Sequence, residues 1–140
     1  MQSRIYLLTL ATCLVAFGVG CKAVQRRVYR PAETVKNYYK YIEEGNADEV
    51  AKLLYKGSIE RLFGGMDGLR KHVAEESESI KRGGGFEYVQ IDSDNVNGEL
   101  GTVDITLKTR KNPKTVRYRV GLGWGPDSTG WEIMTWDDLS

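Results

Sequence analysis

The sequence predicts an α+β domain in which N-terminal helices pack on a curved antiparallel sheet. Three observations carry that prediction. Apolar residues recur at a helical spacing between residues 31 and 82, apolar and polar residues alternate between residues 85 and 138, and glycine-containing turns punctuate most of the junctions. The later stretch, Gly85–Asp138, is the organising half, and it ends in an aromatic-rich strand. A chain of 140 residues has room for one domain, read here as residues 31–140. A domain of ~110 residues buries roughly 65% of its unfolded surface, enough for a core without metal or disulfide.

Charge is balanced, with 20 basic and 19 acidic residues, and Arg4 is the one charged side chain in the first twenty positions. A near-neutral domain argues against a general nucleic-acid binder, which needs a net basic surface to displace counterions. Both cysteines, Cys13 and Cys21, precede the domain. The domain therefore holds neither a catalytic cysteine nor a disulfide framework.

Residues 1–21 run from a weakly basic start at Arg4 through the apolar stretch Ile5–Gly20 to Cys21. Basic, then apolar, then small is the layout of a secretory signal. The segment resembles a bacterial lipoprotein signal, in which the cysteine after the small residue becomes the lipidated N-terminus. That resemblance implies lipidation at Cys21, with Gly18 standing where an aliphatic residue is usual. The string Leu10-Ala11-Thr12-Cys13 competes with it but leaves a very short apolar core. An uncleaved anchor and a simple cleaved signal remain the alternatives. The linker 22–30 carries Lys22, Arg26, Arg27 and Arg30 and no acid. Beside a lipid anchor such a run lies against anionic head groups. On the positive-inside tendency alone, the same charges oppose export of the domain.

Pro31 suits the first turn of a helix, and Val35, Tyr38, Tyr39 and Ile42 follow at i, i+3, i+4 and i+7 up to Gly45. Asn46 and Glu49 form a capping-box pair for a second helix that runs through Val50, Leu53 and Leu54 to a stop at Gly57. A short segment with Ile59, Leu62 and Phe63 leads through Gly64-Gly65 to a third long helix. There Leu69, Val73 and Ile80 form the buried stripe, Glu75, Glu76, Glu78 and Lys81 point elsewhere, and Gly83-Gly84-Gly85 ends it. The predicted strands are Phe86–Asp92, Leu100–Arg110, Val116–Trp124 and Gly130–Trp136, with a two-residue hairpin at Asn97-Gly98. A tight turn there puts Phe86 and Tyr88 on the core face and Val89 and Ile91 outside, so the first strand calls for a bulge or a second covered patch. A tight loop at residues 112–113 sets Leu107 against Tyr118 and Ile105 against Val120.

The opening Pro31–Tyr41 with Glu43-Glu44-Gly45-Asn46-Ala47, and the closing Gly130-Trp131-Glu132-Ile133, are similar to the helical start and final strand of the nuclear transport factor 2-like superfamily. Small bacterial lipoproteins with an uncharacterised domain of this type are the nearest resemblance, over most of residues 31–138. It implies a cone-shaped fold with an apolar pocket between helix and curved sheet, and it carries over no catalytic residue.

Candidate chemistry is sparse. His72 is the one histidine, which excludes a multi-histidine metal site, and its charged helix reads as an exposed surface. Asp92–Gly98 resembles a calcium loop until its positions are checked: Val96, Gly98 and Val103 break the ligand pattern, leaving a polar hairpin turn. The glycine pairs and triplets lack the context of a phosphate loop. No metal site and no cofactor are expected. Tyr38, Tyr88, Tyr118, Trp124 and Trp131 are the pocket candidates, since aromatic walls with polar tips suit small-molecule sites. No acidic residue falls on an apolar strand face, so a proton-transfer site of the kind used by ketosteroid isomerases lacks its base. The expected function is a lipid-anchored bacterial envelope protein facing the periplasm or exterior. Its domain would stand within about 30 Å of the membrane, the reach of the linker, and bind a small apolar ligand, a peptide or an envelope protein without catalysis. An enzyme using a buried pocket carboxylate, and a self-associating scaffold or homodimer, are the other two classes.

Overall fold

The computed structural model describes residues 29–125 and 130–140. The signal-like segment with Cys21, and the linker as far as residue 28, lie outside the described residues. Four helices, α1 (Pro31–Glu44), α2 (Ala47–Lys52), α3 (Lys56–Phe63) and α4 (Met66–Arg82), precede four strands, β1 (Phe86–Asn97), β2 (Leu100–Thr109), β3 (Val116–Trp124) and β4 (Trp131–Asp138). The strands form one antiparallel meander in the order β1-β2-β3-β4. The α+β architecture expected from the sequence is the one observed.

Pro31 opens α1 as its first residue, and Gly45 closes it at φ 73°, where a side chain would strain the backbone. The helix buries Val35, Tyr38, Tyr39 and Ile42. Asn46 caps α2 by accepting from the Glu49 backbone N–H at 3.2 Å. That helix stops at Lys52, short of the expected Gly57. Leu53–Tyr55 instead leaves the helix to run alongside β4: the Ile133 N–H donates to Leu53 O (2.8 Å) and the Tyr55 N–H to Ile133 O (3.0 Å). The two bonds cover the start of an edge strand that would otherwise offer unpaired backbone. Gly57 lies inside α3, near its start.

β1 runs five residues beyond its expected end, so Asp92–Asn97 is strand and not turn. The connection to β2 is Gly98-Glu99, one residue later than expected, with Asn97 opposite Leu100. The bulge called for in β1 is present twice, around Glu87 and around Asp92. Each extra residue reverses the faces, so Phe86, Val89 and Ile91 all turn inward and Tyr88 turns outward. In β2 and β3, Ile105 pairs with Tyr118 and Leu107 with Val116. This register is two residues from the expected one. A slip of two keeps every side chain on its face, so the anticipated core survives: Val103, Ile105, Val120 and Leu122 are buried with Leu69, Val73, Val50 and Ile133.

The outer face of the sheet is polar and cross-linked. Lys108 pairs with Glu87 (2.7 Å), Arg119 with Asp104 (2.7 Å), and the Thr106 hydroxyl donates to Asp92 (2.6 Å). At the hairpin end of the sheet two contacts fasten the incoming chain. The Trp131 indole N–H donates to Tyr29 O at 2.6 Å, and Arg30 reaches the Asp94 carboxylate at 2.9 Å and its backbone O at 2.6 Å. Gly101 makes room for this seat, because a Cβ there would meet Pro31 Cγ at 2.7 Å.

Candidate functional site

At the other end of the sheet the helices and strands diverge around an open cavity of about 530 Å³. Its position follows from the elements. α1 crosses the concave face and presents Tyr38, Tyr39 and Ile42, while α4 runs past the mouth with His72, Glu76, Ser79 and Ile80, and Gly83 follows its end. Phe86, Leu107, Val116 and Trp136 come from the near ends of the four strands, and Leu62 and Phe63 close one side. The cavity is within the size range of small-molecule sites.

The aromatic wall is a packed set. Tyr38 meets Tyr39 edge-on (centroids 5.1 Å, 85°) and lies tilted on Trp136 (5.2 Å, 46°), and Tyr39 meets Phe86 edge-on (6.0 Å, 84°). Such contacts hold rings in fixed orientations. Burial pushes the Tyr38 phenol well above its ordinary value, and the Glu76 charge pushes it further. Tyr39 is raised by burial and by Tyr38, Tyr118 and Glu76, against a hydrogen bond from Trp136. Burial, Asp138 and Glu76 raise Tyr118. At neutral pH all three are protonated, so they offer hydroxyl donors and no base.

Two of the five sequence-derived pocket candidates, Tyr38 and Tyr118, line this cavity. Tyr88 is on the exposed outer face, put there by the Glu87 bulge. Trp124 and Trp131 pack edge-on against each other (5.3 Å, 85°) at the opposite end of the sheet. His72 and Glu76 were missed. His72 is half-buried against the Phe63 ring (5.0 Å, 41°), and Glu76, though exposed, faces the mouth. Their signal was present in the sequence as an i, i+4 pair beside the Leu69–Val73–Ile80 stripe.

The cavity's chemistry is limited. Ser79 and Thr109 supply its aliphatic hydroxyls. Ser79 and His72, seven residues apart on one helix, are separated by about 10 Å along the axis, too far for a serine–histidine pair. Among the described residues no three His, Cys, Asp or Glu side chains gather as a metal site, and no helix is long and apolar enough to cross a membrane.

No protein-family model matches the chain, and no curated protein matches it. Among solved structures it is similar to a Campylobacter jejuni protein named as a candidate NTF2-like transpeptidase, with a TM-score of 0.62 and 20% identity over 75% of this chain and 97% of that one. The domain has the nuclear transport factor 2-like fold.

Proposed function

We propose that this domain binds a small, largely apolar ligand or a peptide in the cavity between α1, α4 and the concave sheet, and that it does so without catalysis. The observation that carries the reading is the cavity itself: a rigid aromatic wall, an open mouth, and a few polar tips, with Ser79 and His72 too far apart to act as a pair. The structural neighbour is named for transpeptidation, a reaction on peptides. Peptide recognition is compatible with this cavity, whereas acyl transfer requires an activated nucleophile, and Ser79 and His72 stand too far apart to form one. Native mass spectrometry of the detergent-solubilised full chain tests the reading. A retained small molecule supports it. An empty protein that also ignores a panel of peptides and amphiphiles refutes it.

The location proposed for this domain is the bacterial envelope, with residues 1–21 as a lipoprotein-type signal and Cys21 as the lipidated residue. Palmitate labelling that vanishes in Cys21→Ala supports this, and labelling that persists removes it. A second reading, catalysis by proton transfer, draws on the Glu76 charge felt by Tyr38, Tyr39 and Tyr118. It lacks the buried carboxylate such chemistry uses, since Glu76 is exposed. Self-association through the outer sheet face is disfavoured by its ion-paired surface. Light scattering that shows a concentration-dependent dimer would restore it.

A further inference from the structure

The charges at the mouth of the cavity are arranged asymmetrically. The helical side carries Glu76, one turn beyond His72, and the strand-and-loop side carries Lys114, in the β2–β3 connection. The other lysine in the wall, Lys108, is taken up by Glu87 at 2.7 Å. Among the described residues no ion pair takes up Glu76 or Lys114. The same cavity wall carries the apolar surface of Ile80, Leu107 and Trp136.

Resting on the binding reading above, we infer that the pocket selects a dipolar ligand, a short peptide-like zwitterion with an apolar side chain on the aromatic wall, its ammonium toward Glu76 and its carboxylate toward Lys114. A uniformly anionic amphiphile would meet Glu76 unfavourably, and a uniformly cationic one would meet Lys114. A neutral apolar molecule would leave both unpaired. Only opposite charges at the two ends use both rims, and a free peptide has that pattern. Each end contributes modestly, because both side chains are exposed and screened by salt.

The probe is the dipeptide Phe-Leu in four forms: free, N-acetylated, C-amidated and doubly capped. The sample is the full chain in detergent micelles, and the readout is the indole N–H resonance of Trp136. The Trp124 and Trp131 resonances, from the far end of the sheet, serve as internal controls. The free dipeptide is expected to bind tightest, with each single cap weakening it by up to about fivefold. Glu76→Gln should erase the penalty for the N-acetyl cap alone, and Lys114→Gln the penalty for the amide alone. Equal or tighter binding of the doubly capped form, still read at Trp136, overturns the dipolar assignment and leaves the pocket standing. If no form shifts Trp136 selectively, both the assignment and the peptide-binding reading fall.

Discussion

Gly68→Ala is the substitution for which local propensity and tertiary structure make opposite forecasts. Gly68 sits in the first turn of α4, where replacing glycine with alanine favours the helix by up to about 1 kcal/mol. A Cβ at that position would lie 1.7 Å from the Phe63 carbonyl oxygen and 2.8 Å from its carbon. Both are backbone atoms, so no rotamer change relieves the overlap. The end of α3 must move away from α4 by more than an ångström, carrying with it the Phe63 ring that packs on His72. Overpacking of this kind costs about 1–3 kcal/mol and sometimes more, so after the propensity gain the net effect is a loss of about 1 kcal/mol or more. Gly57→Ala is the matched control. It lies in the first turn of α3, and its Cβ would meet only the Tyr55 ring at 2.6 Å, the end of an exposed side chain that can swing aside. That variant should be neutral or slightly stabilised. Urea unfolding followed by circular dichroism, with both variants compared at constant m-value, measures the difference. A Gly68→Ala protein as stable as the wild type, or more so, would refute the steric argument and with it the described α3–α4 junction.

Three other outcomes are expected. Because burial raises Tyr38 and Tyr39, the folded state retains two protons that the unfolded chain releases above pH ~10; stability should fall there by up to about 2.7 kcal/mol per pH unit. Urea unfolding at pH 9 and above, alongside absorbance at 295 nm, should show these phenols ionising only as the chain unfolds. Arg30→Ala leaves the mostly buried Asp94 carboxylate without its cation and should cost about 1–2 kcal/mol. Arg30→Ala combined with Asp94→Asn should recover part of that loss in thermal melts. The Asp104 carboxyl is held below its ordinary range by the Arg119 hydrogen bond. Its contribution is full above pH ~4 and disappears as pH falls through the folded value. Asp104→Asn should therefore differ from the wild type by less than about 1 kcal/mol at pH 7, and the difference should shrink as the pH falls through the folded value.

The parts of this fold that were legible from sequence are those where one periodicity ruled an element from end to end. α1 and β3 were read to their ends because every apolar residue in them faces the same way. β1 was harder, since Glu87 and Asp92 interrupt its alternation twice, and that interruption moved Tyr88 from the expected pocket to the outer face. The early end of α2 was not legible at all: Leu53 and Leu54 continue its apolar stripe, and only the backbone of Ile133 reveals that they leave the helix. Glu76 and His72 were assigned to a solvated face. They face the cavity because the long α4 runs past the near end of the sheet, and what lies beside that stretch is a matter of tertiary placement.

The seat of Tyr29 and Arg30 has a mechanical consequence. The chain enters the domain at the Gly101 end of β2, and the cavity opens near Lys108, seven residues along the same strand, or about 24 Å away at strand rise. Any pull transmitted through the preceding segment is therefore taken up first by the Arg30–Asp94 pair and the Trp131–Tyr29 bond. α1 leads from that seat to Tyr38 and Tyr39, so these contacts stand between the load and the aromatic wall. A tethered copy and a freely diffusing one should accordingly exchange ligand at the same rate.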